Sequence, residues 1–335
     1  MSIVSQLQKT ILSTIGDLMP KNDQFALLDF PDYANIGDSA IYVGESDLFK
    51  RFSRRPAYVA AMHHTDWQAM EAAIGNGPIY IQGGGNFGDL WTDLNDFHEE
   101  ILRRYPNRRV VQLPQTIYYE NPEKAASMAA LCKAHTDFVL LVRDQRSFDF
   151  AKENFKADIR LCPDSAFMIE KLDRTAPTHE LLMLIRQDKE TRGVDTSKHQ
   201  FPRDRVLVID WPEEQSDNSR FGKIKAYASA NAHEPWTLLP GNKHRRRGNL
   251  LEMVARRRVK KGADLLSQGR TVITDRLHGH ILCTLLNIPH VVIDNSYGKI
   301  SGFAKAWGTF GENRYFAQSL DEAISILKER ERLSI

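Results

Sequence analysis

The stretch "VITDRLHGHILCTLLNIPHVVID", residues 272–294, contains the connection on which the fold prediction depends. Two apolar residues, Val272 and Ile273, lead into the polar run 274–280, and apolar residues at helical spacing follow at once. A second apolar run occupies 290–293. A buried strand, a tight turn, a helix and another buried strand predict a βαβ unit with parallel strands. The turn holds an arginine and two histidines where small polar residues would suffice, so its composition needs a chemical explanation.

The same alternation of apolar runs and helical patterns continues along the whole chain. Strands are predicted at 25–30, 57–61, 79–82, 110–113, 138–142, 159–162, 181–186, 206–210, 237–239, 271–274 and 291–294. Helices are predicted at 38–50, 92–105, 122–134, 144–154, 220–229, 250–268, 278–286 and 319–330. Apolar strands separated by helices indicate parallel sheets that are buried on both faces.

A polar stretch at 171–179 is interpreted as a linker between two such sheets. We therefore predict an α/β protein with two doubly wound, Rossmann-like domains, residues 1–172 and 173–335, whose parallel sheets face a central cleft. The last helix, 319–330, is a candidate to pack back on the N-terminal domain. Ligands bind outside the carboxyl ends of parallel strands, so functional residues are expected directly after strands.

Composition excludes several classes of protein. The chain has 335 residues and a formal net charge of only +2, which does not favour a nucleic-acid-binding protein. The amphipathic N-terminal segment 1–19 lacks the features of a signal peptide, and no segment has the length and hydropathy of a membrane span. The three cysteines have no CxxC spacing and lie among apolar residues, which is typical of a reducing compartment. A cytoplasmic protein is expected.

After the first predicted strand comes "DFPDYANIGDSAI", which contains Asn35, Gly37 and Asp38. Gly37 permits a tight turn, and Asp38 can cap the following helix by accepting hydrogen bonds from its first amides. Alternatively, Asp38 has a catalytic or sugar-binding role. The residues themselves do not separate these two interpretations.

After the third strand comes "IQGGGNFGDLW", in which Gly83, Gly85 and Gly88 have the spacing GxGxxG of a dinucleotide site. The position after the third strand, and the absence of an acid after the next one, argue against that site. A loop where the backbone closely approaches a ligand or the other domain fits better. Asn86 and Asp89 are then candidates to bind hydroxyl groups.

Cations also follow predicted strands. Arg143 ends the fifth strand, and it either pairs with a nearby acid or reaches into the cleft towards an anion. Arg276 and His278 stand where a helix begins, and a helix N-terminus attracts anions. Lys299, after the next strand, adds a third cation. Together these features predict an anion site at adjacent strand ends.

Other histidines have simpler interpretations. His280 and His290 are expected to be structural residues with satisfied ring nitrogens. The run His63-His64-x-Asp66 is interpreted as a surface turn, because its spacing is not that of a metal site. No metal site is predicted.

The motifs together resemble those of the polysaccharide pyruvyl transferase family. The resemblance covers most of the chain and depends on "NIGDSAI", "QGGGNFGDLW", "LPQTI", "VRDQRS", "CPDSAF" and "TDRLHGHILCTLLNIPHVVIDNSYGKISGF". It implies a GT-B-like arrangement of the two domains. It also implies transfer of the pyruvyl group of phosphoenolpyruvate to two hydroxyls of one sugar, giving a cyclic ketal and releasing phosphate. Phosphoenolpyruvate is then a co-substrate, and no cofactor is expected.

The resemblance assigns roles to residues of this sequence. Arg276, Leu277, His278 and Lys299 would form the donor site, and Arg143 matches a cation of the family. Since ketal formation needs a proton at the enol carbon, His278 is predicted to deliver that proton, or to protonate the departing phosphate.

A carboxylate is needed to take the proton of the attacking hydroxyl, and Asp38 and Asp89 remain equal candidates. The candidates for binding the saccharide acceptor are Asn35, Gly37, Asp38, Asn86 and Asp89.

Residues 243–261 carry nine lysines and arginines against one acid, Glu252. Either this is a solvated helix face, or it contacts the cell membrane or the diphosphate of a polyprenyl-linked acceptor. Two other functions remain open at this point: a glycosyltransferase of the same architecture that uses a nucleotide-sugar, and a non-catalytic subunit that binds saccharide.

Overall fold

The computed structural model describes residues 2–186, 194, 196, 199–211, 243–294 and 299–335. The strands are β1 (Ala26–Leu28), β2 (Tyr58–Ala60), β3 (Ile79–Ile81), β4 (Gly84–Gly88), β5 (Val110–Tyr118), β6 (Phe138–Val142), β7 (Asp158–Leu161), β8 (His179–Leu184), β9 (Val206–Ile209), β10 (Gly269–Thr274), β11 (His290–Ile293) and β12 (Arg314–Ala317). The helices are α1 (Ile3–Ile15), α2 (Ile36–Arg51), α3 (Trp67–Ile74), α4 (Thr92–Arg104), α5 (Pro122–Ala134), α6 (Gln145–Asn154), α7 (Lys243–Ser267), α8 (Leu277–Leu285), α9 (Lys299–Trp307) and α10 (Leu320–Glu331).

These elements form two parallel sheets. The first has the order β2-β1-β3-β5-β6-β7, with β4 paired to β5, and the second has the order β12-β11-β10-β8-β9. The predicted α/β class and GT-B-like arrangement of two Rossmann-like domains are confirmed. Strand β4 and strand β12 were not predicted, and β5 continues past its predicted end. The predicted strand 237–239 and helix 220–229 lie outside the described residues.

The two domains share one apolar core beside the cleft. Helix α2 packs on α7 and on the short 3-10 turn 165–168, so both helices lie between the sheets. A Cβ atom at Gly44 would lie 1.9 Å from the carbonyl oxygen of Ser165, and therefore only glycine allows α2 to approach this turn. The close packing of α2 places its N-terminus at the mouth of the cleft.

The contact with the N-terminal domain that was predicted for the last helix, α10, is made by α9. The final helix, α10, packs on β10, β11 and β12 of its own sheet, so the prediction that it packs back on the N-terminal domain is wrong. Its apolar face fits that sheet, with Ala323 and Leu327 fully buried. Helix α9 packs on α6 of the N-terminal domain instead, where Trp307 Nε1 donates a hydrogen bond to the carbonyl oxygen of Arg143 at 2.7 Å.

The basic segment 243–261 is part of α7, which begins before its predicted start. Arg256 forms ion pairs with Asp47 and Glu252, and Arg258 is buried with its guanidinium donating to the carbonyl oxygen of Pro31 at 2.7 Å. The interpretation as a solvated face is therefore wrong for these two arginines, since they attach α7 to the N-terminal domain. Among the described helices, none combines the length and hydropathy that a membrane span requires.

Candidate functional site

A cleft of about 610 Å³ lies between the carboxyl ends of the two sheets. Its N-terminal wall includes Asp29, Asp32, Tyr33, Asn35, Asp38, Asn86, Trp91, Asp93 and Arg143. Its C-terminal wall includes Arg186, Trp211, Arg276, Leu277 and His278. The structure thus brings together most of the residues that the sequence predicts for the donor and acceptor sites. The side chain of Lys299 lies outside the described part of the chain, and only its position at the start of α9 is known.

The N-terminus of α2 is capped by Asn35. Its Oδ1 accepts hydrogen bonds from the amides of Gly37 at 2.8 Å and Asp38 at 3.2 Å. The interpretation of Asp38 as the cap is therefore wrong, because Asp38 lies in the first turn and not before it. Its Oδ2 accepts a hydrogen bond from the Tyr33 hydroxyl at 2.9 Å. Burial raises the pKa of Asp38, although His278 and the Tyr33 hydroxyl oppose the increase.

Gly37 brings the two domains into contact at the site. A Cβ atom at this position would lie 2.4 Å from Nδ1 of His278, which is well inside van der Waals contact. The sequence suggested that Gly37 binds the acceptor, but its contact in the structure is with the imidazole of the other domain. The glycine therefore lets His278 lie against the first turn of α2, next to Asp38.

Arg143 is buried and its guanidinium is already paired. It donates to Asp164 Oδ2 at 2.6 Å and to the Thr116 hydroxyl at 2.9 Å. The same oxygen of Asp164 lies 3.5 Å from His278 Nε2, so one carboxylate connects two predicted donor-site residues. Burial raises the pKa of Asp164, but His278 and Arg143 outweigh it and hold this pKa well below its usual range. Asp164 therefore remains an anion between the two domains.

Asp164 also caps the 3-10 turn 165–168, where it accepts a hydrogen bond from the amide of Ala166 at 2.8 Å. Its contact with Arg143 depends on β6 and β7 being neighbours in the sheet, which no local pattern indicates.

Arg276 is held in a fixed direction by an acid that the sequence analysis missed. Its Nε and Nη2 atoms donate to the two carboxylate oxygens of Asp210 at 2.6 and 2.7 Å. This planar, two-pronged contact restrains the guanidinium at the edge of the cleft. Asp210 directly follows β9, so the rule that functional residues follow strands could have identified it.

Arg186 is a further cation that was not predicted as a site residue, although it ends a predicted strand. Its backbone amide donates to Asp275 Oδ1 at 2.9 Å, which connects the ends of β8 and β10. Burial raises the pKa of Asp275 to about 6, against the opposing influence of the Arg186 amide. The connection places Arg186 in the cleft wall near Arg276.

Asn86 lines the cleft within a polar network. Its Nδ2 donates to Asp29 Oδ2 at 3.2 Å, and its Oδ1 accepts from Gln115 Nε2 at 2.6 Å. Asp29 also contacts His98 Nε2 at 3.3 Å. Asp29 has a φ of 67°, a left-handed conformation that is unfavourable for residues other than glycine. Neither Asp29 nor His98 was singled out from the sequence.

Asp89 is not brought to the cleft wall. Its carboxylate oxygens accept hydrogen bonds from the amides of Glu120 and Asn121 at 2.6 to 3.0 Å, and so hold the loop after β5. A Cβ atom at Gly88 would lie 1.8 Å from the carbonyl oxygen of Tyr118. This glycine is therefore required by the close pairing of β4 with β5, and not by approach to a ligand or the other domain, as the sequence suggested.

His280 and His290 are buried within the C-terminal domain, and the expectation that they are structural is confirmed. Their Nδ1 and Nε2 atoms, respectively, lie 2.7 Å apart, and His280 Nε2 lies 2.8 Å from the Thr309 hydroxyl. In the part of the chain that the structure describes, no three His, Cys, Asp or Glu side chains are arranged to hold a metal.

Comparison with known proteins agrees with the geometry. The family model "Polysaccharide pyruvyl transferase" matches residues 35–297. Pyruvyl transferase 1 of Schizosaccharomyces pombe is 31% identical over 321 residues, which cover 91% of this chain and 75% of that protein. The pyruvyl transferase candidate EpsO of Bacillus subtilis is 32% identical over 317 residues, which cover 91% of each protein.

A solved structure of an uncharacterised protein from Klebsiella pneumoniae superimposes with a TM-score of 0.57 at 18% identity, covering 94% of this chain and 98% of that one. This likeness supports the fold. The family match does not favour a nucleotide-sugar glycosyltransferase. It covers the cleft residues from Asn35 to His278, and the chain belongs to the polysaccharide pyruvyl transferase family.

Proposed function

We propose that this transferase uses phosphoenolpyruvate to form a pyruvate ketal on one sugar of an exopolysaccharide, capsule or cell-wall glycan precursor, and that it releases phosphate. The observation that carries the proposal is the meeting of Asp38 and His278 across the domain boundary, directly beside Arg143 and Asp164. A carboxylate with a raised pKa next to an imidazole supplies the base and the acid that the reaction needs.

The donor lies at the C-terminal wall in this proposal. Phosphoenolpyruvate carries a phosphate and a carboxylate, and this wall presents Arg186 and Arg276 together with the first amides of α8. Amides at a helix N-terminus and the planar guanidinium group both suit such anions. Lys299 at the start of α9 is proposed to complete the donor site, and Leu277 to pack against the donor's apolar edge.

A sugar hydroxyl oxygen attacks the carbon that bears the phosphate, while a proton reaches the neighbouring enol carbon and converts it to a methyl group. The second hydroxyl oxygen then displaces phosphate from the same carbon, and its proton leaves with the phosphate. Asp38 takes a hydroxyl proton and His278 delivers the proton to the donor. Asp38 is preferred to Asp89 as the base, because Asp89 holds a loop by accepting backbone hydrogen bonds.

The proposed reaction needs no added metal, since cationic side chains and a helix N-terminus occupy the wall assigned to the donor. Turnover should persist in the presence of a chelator. Loss of turnover on chelation, with recovery on adding magnesium, would contradict this part of the proposal.

We also propose that the acceptor is presented at a membrane surface, as a polyprenyl-diphosphate-linked saccharide, and that α7 makes peripheral contact there. Arg246, Lys260 and Lys261 are exposed on α7, and Met253 on the same helix is 42% exposed. Binding to anionic vesicles should weaken steeply with salt. Reversal of these three charges should reduce vesicle binding and leave turnover on a soluble acceptor unchanged; equal vesicle binding would contradict the contact.

The main test is the release of phosphate from phosphoenolpyruvate across a panel of saccharide acceptors, with the product identified by mass spectrometry. His278→Gln should abolish most of the release, whereas the matched variant His280→Gln changes the same residue type on the same helix and should retain it. Phosphate release without a ketal product, or with both variants fully active, would contradict the proposal.

A further inference from the structure

The charges of the cleft are divided between its two walls. Four carboxylates, those of Asp29, Asp32, Asp38 and Asp93, line the N-terminal wall. The C-terminal wall presents Arg186 and Arg276, whereas Arg143, the arginine of the N-terminal wall, is buried and paired with Asp164. If the donor's negative groups lie at the cationic wall, as proposed above, the acidic wall is left for the acceptor.

Asp29 points to a ligand on this wall more strongly than the other three acids. It is only 6% exposed, yet it lines the cleft. Its Oδ2 is held by Asn86 and His98, whereas Oδ1 receives no hydrogen bond from any described residue. Because Asp29 lines the cleft, Oδ1 is the carboxylate oxygen that is left to accept a hydrogen bond from a ligand hydroxyl.

The backbone of Asp29 supports the same conclusion. A φ of 67° places Asp29 in the left-handed region, which few residues other than glycine adopt. His98 is buried against the ring of Phe87, with the two ring centroids 5.7 Å apart, so the partner that orients Asp29 is itself fixed. The carboxylate is thus held in one direction before any ligand binds.

Trp91 lies on the same wall and is 42% exposed. The negative face of an indole ring attracts the weakly positive C–H groups on one face of a sugar ring, while hydroxyls at the ring edge bind carboxylates and amides. An aromatic side chain and a carboxylate oxygen without a described donor, both on this wall, fit a sugar ring. The surrounding carboxylates would repel a sugar that carries its own negative charge.

We propose that the N-terminal wall binds one uncharged sugar residue of the acceptor, with a sugar hydroxyl donating a hydrogen bond to Asp29 Oδ1 and Trp91 lying under the ring. The acidic wall then excludes sugars that carry a carboxylate or phosphate, so the diphosphate of a lipid-linked acceptor lies outside the cleft. This inference rests on the proposed function, because that function assigns the opposite wall to the donor.

The first test changes Asp29. Asp29→Asn keeps the shape and can still accept from Asn86, but it removes the charge that faces the cleft. The acceptor KM should rise by about 10- to 100-fold, the usual effect of losing a hydrogen bond to a charged group, while the KM of phosphoenolpyruvate stays within about twofold. Asp96→Asn is the matched control, since Asp96 lies on α4 outside the cleft wall and its side chain is 57% exposed. An unchanged acceptor KM, or an equal change in both KM values, would overturn the assignment.

Trp91 gives an independent test that does not depend on the strained residue. Trp91→Ala should raise the acceptor KM by about 10-fold or more, and Trp91→Phe should restore most of the loss, because an aromatic face remains. Failure of Trp91→Ala to change the acceptor KM would contradict the proposed position of Trp91 under the sugar ring.

The proposed exclusion of charged sugars is tested with two glycosides that differ only at C6, one with a hydroxymethyl group and the other with a carboxylate. The neutral glycoside should have a kcat/KM about 100-fold higher, and equal values for the two glycosides would overturn the proposed exclusion. Calorimetric binding of the two glycosides without donor measures the same preference when no turnover is observed. Loss of turnover with retained neutral-sugar preference would contradict the proposed function alone.

Discussion

His278 and His280 lie two residues apart on α8, yet they belong to different parts of the molecule. His278 reaches the cleft, is 13% exposed, and contacts Gly37 and Asp164 of the other domain. His280 is fully buried and bonds only within its own domain, to His290 and Thr309. Two residues along a helix turn the side chain by about 200°, so one residue type faces the site and the core in turn.

The buried pair has a single arrangement of protons. His290 Nδ1 lies 2.7 Å from the carbonyl oxygen of Ile288 and must donate to it, so His290 Nε2 accepts from His280 Nδ1. His280 Nε2 then accepts from the Thr309 hydroxyl. Both rings are neutral in this chain of bonds, and burial lowers the pKa of each. The comparison teaches that hydrogen-bond partners, and not residue type, decide which histidine can exchange a proton during a reaction.

The largest effect on activity is expected from replacing His278, the histidine that faces the cleft. His278→Gln keeps a polar side chain but cannot carry a proton, so kcat should fall by about 10²–10⁴. His280→Gln is the control and should retain near-normal kcat. An active His278→Gln variant with an inactive His280→Gln variant would show that the proton transfer has been assigned to the wrong histidine.

The next effect concerns the contact that holds His278 in place. A methyl group at position 37 would overlap Nδ1 of His278, so Gly37→Ala should displace the ring. A displacement of about 1 Å can reduce the rate about 100-fold, and we expect kcat/KM to fall by about 10- to 100-fold with little change in melting temperature. Gly302→Ala is the control, because nothing lies within 4 Å of its added methyl group. A fully active Gly37→Ala enzyme would show that the ring position is unimportant.

A smaller effect is expected at the residue that precedes α8. Arg276→Lys keeps the charge but loses the two-pronged contact with Asp210, so the cation is no longer fixed at the cleft edge. The KM of phosphoenolpyruvate should rise by about 10-fold while kcat changes little. Steady-state kinetics at varied donor concentration measures this split. A fall in kcat alone would place Arg276 in the chemical step.

The smallest effect on activity is expected on the core side, where the consequence is stability. The pKa of His290 is about 4 in the folded protein and about 6.5 in the unfolded chain, so only the unfolded chain gains this proton as the pH first falls. The free energy of unfolding should therefore decrease by up to about 3 kcal/mol between pH 6.5 and 4. His290→Gln should be less stable at pH 7 but should lose less stability over this window. Urea unfolding at several pH values measures both quantities. The same pH dependence in His290→Gln as in the unchanged protein would contradict the assignment of His290 as a neutral, buried imidazole.

The local parts of the site could be predicted because they depend on short patterns. The order strand, turn, helix, strand in 272–294 indicates the βαβ unit, and residues such as Arg276, His278 and Asp38 lie between the end of a strand and the first turn of the next helix. Parallel strands place their carboxyl ends on one edge of a sheet, so these residues were expected to meet. The cap was less certain, because Asn35 and Asp38 are both good capping residues.

By itself the sequence therefore determined the fold class, the position of the cleft and which strand ends face it, since periodicity and motif order are local properties. Only the tertiary structure decided that Asp164 lies between Arg143 and His278, and that Asp210 holds Arg276. It also decided that Asp29 lines the cleft and that Asp89 does not. These contacts join residues far apart in the chain, such as Arg276 and Asp210 at a separation of 66 residues. They depend on strand order and on the packing of α2 against α7, which local periodicity does not encode.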